Sequence, residues 1–133
     1  MKCINNCWKD ENNIEITHSI IHYLFSIDFL LKTSWYARWV DIAKNLSITP
    51  WSCSTALKNL IKKWFIYEDT NKFIFLTKLW EEIVEKANYK RNILLNFFKN
   101  TLELNDNISN INACNIEHLL SDEVIEAIKK ISN

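Results

Sequence analysis

Glycine is absent from the 133 residues of the chain, although average usage of about 7% would give roughly nine. Proline and methionine occur once each, whereas tryptophan, normally one of the rarest residues, occurs six times. A folded chain uses glycine where the backbone takes a positive φ, because other residues pay a steric cost there. Because the chain has no glycine, other residues must occupy any position with a positive φ, and the unusually frequent tryptophans are the first candidates.

Several tryptophans stand in sequence contexts that normally favour glycine. Trp64 follows the end of a helical pattern, and Trp35 lies in a turn between two helical patterns. We therefore predict that UGA codons, read as glycine in the source organism, have been translated as tryptophan. The abundance of Ile, Asn and Lys fits the AT-rich genome that such recoding requires; genuine aromatics are the alternative. The positions concerned are Trp8, Trp35, Trp39, Trp51, Trp64 and Trp80.

Recoding has structural consequences that can be checked. It predicts a positive φ at Trp64, and exposed rings at most of Trp8, Trp35, Trp51, Trp64 and Trp80. Even with glycine restored at all six positions, the sequence forms no GxGxxG or GxxxxGK[ST] motif. Phosphate-loop chemistry is therefore unsupported, and we do not expect an enzyme.

Long apolar runs are also missing. The most apolar stretch, residues 20–31, contains His22 and Asp28, so we expect no transmembrane helix and no membrane partner. Residues 1–13 form a polar tail without the apolar segment of a signal peptide. The four cysteines contain no CxxC pair, which predicts a cytoplasmic protein with reduced thiols and leaves open the roles of Cys3 and Cys7.

Hydrophobic periodicity predicts a mainly helical fold. The predicted helices cover residues 14–32, 39–46, 50–63, 78–101 and 108–119, with a last helix from residue 122. Thr49 as N-cap and Pro50 at the first helical position mark the start of the third helix. β-prone runs at 65–67 and 73–76 predict a hairpin. Helix, short helix, turn, helix and two-stranded wing is the order of a winged helix-turn-helix, in which the helix after the turn enters the DNA major groove.

Local charge supports a DNA partner, although the net charge of the chain is zero. Residues 32–66 hold six cations and one anion, a local charge of +5, whereas residues 100–133 hold two cations and six anions, a local charge of −4. Small hydroxyls and cations on the third helix suit base edges and phosphates. A merely solvated helix face is the alternative. The predicted DNA-binding residues are Arg38, Thr49, Ser52, Ser54, Thr55, Lys58 and Lys62.

Cys114, Glu117 and His118 form the second constellation. Their i, i+3 and i+4 spacing places a thiolate, a carboxylate and an imidazole on one helical face, which favours Fe(II), Co(II), Ni(II) or Zn(II) over Mg or Ca. A fourth ligand would come from His18 or His22, which lie one turn apart on the first helix. A buried cysteine, a cap-region glutamate and a hydrogen-bonded histidine are an equally good reading of the three residues alone.

These residues together resemble the metal-dependent repressors typified by the diphtheria toxin repressor and the manganese transport regulator. The resemblance covers about residues 17–131, and the family's glycine positions fall at Trp35, Trp64, Trp80 and sometimes Trp51. The matching motifs are Tyr36-Ala37-Arg38…Asp41-Ile42-Ala43, Leu76-Thr77 and Ala113-Cys114…Glu117-His118…Ser121. The resemblance implies a polar tail (1–13), a winged helix-turn-helix DNA-binding domain (14–77) and an all-helical metal-binding and dimerisation domain (78–133).

The resemblance also implies a metal site. Cys114, Glu117 and His118 match three of the family's ligands, and the family's first-helix ligand falls at His22. The implied cofactor is a divalent transition metal: cysteine in place of the manganese-type glutamate points away from Mn(II), so Fe(II) is favoured, with Mn(II) or Zn(II) possible. Four such ligands would also suit tetrahedral Zn(II).

A second metal site is not expected. The family's ligands on the long helix fall at Arg91 and Leu95, neither of which binds metal, and the acid of the manganese-type first helix is Phe25 here. We expect Arg91 to supply the missing charge by pairing with a carboxylate near the site. The function implied is a metal-activated homodimeric repressor of metal-homeostasis genes that binds a palindromic operator in double-stranded DNA. The alternatives are a winged-helix regulator without metal control, and a metal-binding or interaction module that has lost DNA recognition.

Overall fold

The chain is described by a computed structural model that covers residues 7–9, 15–117 and 119–132, with side chains from residue 19 onward. Its helical content confirms the mainly α class. The elements in chain order are β1 (Cys7–Lys9), β2 (Glu15–Thr17), α1 (His18–Ser34), α2 (Trp39–Leu46), α3 (Pro50–Lys62), β3 (Ile66–Glu68), β4 (Ile74–Leu76), α4 (Lys78–Asn96), a π-helical turn (Phe97–Thr101), α5 (Asp106–Ile116) and α6 (Asp122–Ser132). Contacts divide the chain into one unit over Ser19–Val84 and a second that comprises the chain from Glu85 onward with the described residues before Ser19.

The beginning of the chain differs from the sequence prediction. Strands β1 and β2 pair antiparallel, with Trp8 opposite Ile16. The predicted tail of residues 1–13 thus contains a strand, and the predicted helix start at residue 14 is wrong because α1 begins at His18. Apolar and polar residues alternate over 14–17, and this period of two favours a strand over the first turn of a helix.

The helix pair α2 and α3 forms as the sequence predicts. Ser47 ends α2 in the left-handed conformation with φ 55°, and Thr49 caps α3 by accepting a hydrogen bond from the Ser52 backbone N–H at 3.2 Å. Pro50 occupies the first turn of α3, where its missing N–H costs nothing. Burial of Cys53, Leu57 and Leu60 fixes the inner face of α3.

A β-hairpin follows α3. Tyr67 pairs with Phe75, and their rings stack at 5.5 Å. The turn is closed by Asp69, whose Oδ1 accepts from the backbone N–H groups of Asn71 and Phe73 at 2.9 Å each. The hairpin is tied to the segment before α2, because the Ile74 N–H donates to the Ala37 carbonyl at 2.8 Å.

Four of the tryptophan rings at which exposure was predicted lie within the described side chains. The predicted positive φ of Trp64 is confirmed at 61°, and Trp35 has φ 72°. The rings of Trp35, Trp51 and Trp64 are 88%, 78% and 77% exposed. The expectation of an exposed ring is wrong for Trp80, which is 2% exposed and packs on Phe65 at a centroid distance of 3.9 Å. Trp80 lies on the inner face of α4, where any large apolar side chain is buried. The Trp8 ring lies outside the described side chains.

From Glu85 onward, the second unit is built from the rest of α4, α5 and α6. Ile93, Leu94, Ala113 and Ile125 form its buried cluster. The predicted helix at 78–101 is continuous, but its last turn is π-helical and ends before Glu103, whose φ is 56°. Helix α5 begins at residue 106 instead of 108 because the Asn105 side chain accepts from the Ile108 N–H at 2.9 Å and caps the helix early.

Candidate metal and nucleic-acid sites

The exposed face of α3 carries most of the predicted DNA-binding residues. Ser52, Thr55, Lys58 and Lys62 are exposed, and Ser54 is half-buried. The Thr49 hydroxyl donates to the Ser52 hydroxyl at 2.9 Å, and the Thr55 hydroxyl donates to the carbonyl of Trp51 at 3.0 Å. Both side chains are thus oriented by their own helix, and the methyl group of Thr55 remains to contact a ligand.

Arg38 lies just before α2, where two neighbours hold its side chain. Its Nε is 3.3 Å from the Asp41 Oδ2, and its guanidinium lies 5.2 Å from the centre of the Tyr36 ring. Tyr36 in turn stacks on Phe73 of the hairpin at 5.4 Å. The aromatic pair positions Arg38, and sequence reasoning missed it because the two residues are far apart in the chain.

A second contact that the sequence did not indicate joins α2 to the hairpin. The Trp39 Nε1 donates to the Glu68 Oε2 at 2.7 Å. The two residues line an open cavity with Arg38, Val40, Asn71 and Lys72. The cavity lies where the segment before α2 meets the hairpin turn.

Glu117, the central carboxylate of the predicted metal site, is 2% exposed. Arg91 on α4 holds it with two hydrogen bonds, from Nε to Oε2 at 2.8 Å and from Nη2 to Oε1 at 3.0 Å. Burial raises the pKa of Glu117 above its ordinary value, while the charge of Arg91 and its hydrogen bonds lower it. The expectation that Arg91 pairs with a carboxylate near the site is fulfilled, and the carboxylate is a predicted ligand itself.

The other predicted ligands are distributed over both units. Cys114 is fully buried near the end of α5, and its sulfur is bonded in a disulfide, so the expectation of reduced thiols is wrong for this residue; Cys53 is free. Sequence spacing could not reveal this, because a disulfide depends on spatial and not sequential proximity. His22 is half-buried on α1, in the first unit, where it lines a cavity with Phe25, Ser26, Phe29, Asn45 and Leu46. His118 lies outside the described residues, as does the side chain of His18.

The arrangement of the described residues does not fit a divalent metal at Glu117. Both carboxylate oxygens accept hydrogen bonds from Arg91, and a disulfide sulfur is not the thiolate that binds metal. Within the described part of the chain, no group of three or more His, Cys, Asp and Glu side chains is arranged to hold a metal ion. Over the same residues, no helix has the length and apolar character needed to span a membrane.

Comparisons with known proteins find a family match for the last part of the chain. Residues 77–133 match the family described as "Iron dependent repressor, metal binding and dimerisation domain". No curated protein matches the chain. Among solved structures, IdeR of T. acidophilum is 19% identical with a TM-score of 0.69, and the manganese regulator SloR is 22% identical with a TM-score of 0.70. Each alignment covers 84% of this chain and 52% of the other, so the chain spans about half the length of these two proteins.

A third similar structure has a comparable length. The hypothetical protein SSo2273 from Sulfolobus solfataricus is 15% identical, with a TM-score of 0.61, over 87% of this chain and 88% of the other. At these identities the solved structures show a shared fold, whereas the match to the family model concerns residues 77–133. The resemblance predicted from the sequence is confirmed by the match of residues 77–133 to the metal binding and dimerisation domain of the iron dependent repressors.

Proposed function

We propose that the chain is a homodimeric DNA-binding transcriptional repressor of metal-homeostasis genes, with Ser19–Val84 as its winged helix-turn-helix reading unit. One observation supports the proposal: α3 presents an exposed face of hydroxyls and cations in a chain whose residues 77–133 match the metal binding and dimerisation domain of a repressor family. In this role α3 enters the major groove, and the β3–β4 hairpin is the wing. A regulatory protein, and not an enzyme, is the function that this family supports.

In this proposal, dimerisation increases the specificity with which α3 recognises a DNA sequence. A twofold dimer brings two copies of α3 to one side of the assembly, so that each reads one half of a palindromic operator. Lys58 and Lys62 on α3 supply charge for phosphates, and the Thr55 methyl group offers an apolar contact to thymine. The negative charge of residues 100–133 keeps the dimerising part of the chain off the DNA.

The proposed repressor has two candidate forms, which differ in whether a metal controls DNA binding. In the first, a divalent transition metal activates DNA binding, with Fe(II) favoured over Mn(II) or Zn(II) and His22, Cys114, Glu117 and His118 as ligands. This ligand set stays a prediction. The support for it is the family of the second unit and the metal named for similar structures such as the manganese regulator SloR.

In the second candidate the repressor binds its operator without metal control. A specific observation favours it: the two oxygens of Glu117 already have a cationic partner in Arg91. Both candidates predict the same reading unit and the same dimer, and they differ in the response to a chelator.

A mobility-shift assay tests the proposal. Promoter DNA adjoining the chain's own gene is the probe, with EDTA or with excess Fe(II), Mn(II) or Zn(II). A shift to a dimer-sized complex that Lys58→Ala weakens, and that Lys130→Ala in the acidic part of the chain leaves unchanged, supports the repressor. Binding that needs a metal identifies the first candidate, and binding in EDTA identifies the second. A chain that stays monomeric, or binds no promoter under any condition, is not the proposed repressor.

A further inference from the structure

Glu117 is a predicted metal ligand, and in the structure the cation beside its carboxylate is the Arg91 side chain. Glu117 is the C-cap residue of α5, and Arg91 reaches it from α4, 26 positions earlier in the chain. We propose that the Arg91 guanidinium permanently occupies the cation position at Glu117. The second unit then keeps its fold, and the conformation in which the repressor binds DNA, without a divalent metal there.

The proposal rests on the fact that a buried carboxylate needs a compensating positive charge. Glu117 is 2% exposed, and an isolated carboxylate at such a place is strongly destabilising. A guanidinium is suited to this task, since it is always charged and presents two parallel N–H groups to the two carboxylate oxygens. The distances of 2.8 and 3.0 Å show that Arg91 uses this geometry.

The same geometry leaves the carboxylate little capacity for a second cation. A divalent metal at Glu117 would compete with Arg91 for the carboxylate oxygens and would meet the positive charge of the guanidinium at close range, since the Arg91 side chain is only 20% exposed. The neighbouring sulfur of Cys114 is held in a disulfide. The observed structure therefore substitutes a side chain of the protein for an exchangeable ion.

The consequence for regulation rests on the proposed function. If the chain is the proposed repressor, a fixed cation in place of an exchangeable one makes its DNA binding insensitive to metal supply. The switch, if the promoter is regulated, then lies in the amount of protein or in another ligand. The charge compensation itself is a property of the helical unit and can be measured without DNA.

Thermal unfolding of the full chain tests the proposal. The wild type is melted in reducing buffer, so that the Cys114 thiol is available, with EDTA or with an excess of Zn(II), Mn(II) or, without oxygen, Fe(II). The variants Arg91→Gln, Glu117→Gln and Arg91→Gln/Glu117→Gln are melted alongside. Lys99→Gln is the matched control, because it breaks a more exposed ion pair, to Asp106, in the same unit.

The expected result has two parts. The wild-type midpoint is the same in EDTA and in each metal, whereas a bound metal would raise it by several degrees. Arg91→Gln lowers the midpoint by about 10 °C or more, Lys99→Gln by less than about 3 °C, and the double variant recovers at least half of the Arg91→Gln loss. Recovery is expected because two amides can hydrogen-bond at the same place without a buried charge.

Three results would overturn the proposal. Metal could raise the wild-type midpoint, Arg91→Gln could melt like the wild type, or the double variant could be no more stable than Arg91→Gln. A folded, metal-insensitive chain that fails to shift promoter DNA would reject the proposed function and leave the charge compensation standing. The two failures are therefore distinguishable.

Discussion

Trp64 and Thr77 join the two ends of the β3–β4 hairpin: the Thr77 hydroxyl donates to the Trp64 carbonyl at 3.1 Å, and the Thr77 N–H donates to the Phe65 carbonyl at the same distance. The chain turns at Trp64 from α3 into β3 with φ 61°. This left-handed backbone directs the carbonyl toward Thr77, and a side chain at the position adds a steric cost without contributing a buried contact.

Trp64→Gly is therefore expected to stabilise the protein by about 1 kcal/mol, because glycine takes positive φ without a Cβ penalty. Chemical denaturation measures the difference. Trp51→Gly is the matched control, since its ring is equally exposed but lies in the first turn of α3, where glycine costs up to about 1 kcal/mol. Opposite signs for the two variants would show that conformation, and not removal of an exposed ring, decides the effect.

Destabilisation by Trp64→Gly would mean that tryptophan is the natural residue at this position. Mass spectrometry of the native protein decides the wider hypothesis, because each glycine read as tryptophan changes the mass by a large increment. Trp80 is the position that speaks against recoding. Its buried ring on Phe65 predicts that Trp80→Gly costs about 3 kcal/mol or more in the recombinant chain.

Most of the helical architecture follows from local signals in the sequence. The bounds of α2 are given by its apolar period, and the start of α3 by the side chain of Thr49 and the ring of Pro50, all of which act within a few residues. The start of α1 could not be obtained in this way, because the strand before it depends on pairing with β1. Pairing partners far apart in sequence leave no periodic signal.

The candidate metal site, too, was only partly predictable from the sequence. Sequence spacing placed Cys114 and Glu117 at one helix end, and the resemblance assigned Arg91 to a missing ligand position. That Arg91 would take both oxygens of Glu117 depends on how α4 packs beside the end of α5, which a one-dimensional pattern does not contain. Likewise, neither the stack of Tyr36 on Phe73 nor the disulfide of Cys114 follows from residue spacing.

Lys58→Ala tests contact between α3 and the DNA backbone. Lys58 is exposed on α3, and a lysine that contacts a phosphate contributes affinity without regard to base sequence. The variant should weaken binding to operator and unrelated DNA alike, and the slope of log K against log salt should fall by about one unit. Titrations at several salt concentrations measure both. An unchanged slope would remove Lys58 from the interface.

Thr55→Ala tests the reading of bases. Because its hydroxyl donates to the Trp51 carbonyl, Thr55 presents a methyl group that can meet a thymine methyl. Removing that group should change the preferred operator sequence by about 1 kcal/mol at one base pair, while binding to unrelated DNA stays the same. Selection from a randomised half-site checks the preference. If Thr55→Ala and Lys58→Ala both leave selection and affinity unchanged, α3 is not the reading helix.

Asp122 on α6 forms ion pairs with two lysines of α4, and their contribution to stability can be measured. Its carboxylate lies 3.1 Å from the Lys90 Nζ and 3.5 Å from the Lys86 Nζ. The hydrogen bond from Lys90 and the charges of the two lysines lower the pKa of Asp122 below its ordinary value of 3.8. A lowered pKa in the folded state means that the stabilisation is present above that ordinary value and is lost as the pH falls through the folded-state pKa.

Asp122→Asn should therefore destabilise the protein near neutral pH and have little effect in strong acid. The side chain is 62% exposed, so solvent screening limits the loss to about 1 kcal/mol or less. Denaturation of wild type and variant as a function of pH gives the difference, which high salt should reduce. Glu123→Gln is the control for the helix dipole, because Glu123 lies in the same first turn of α6. Equal losses for the two variants would attribute the effect to the dipole and not to Lys90.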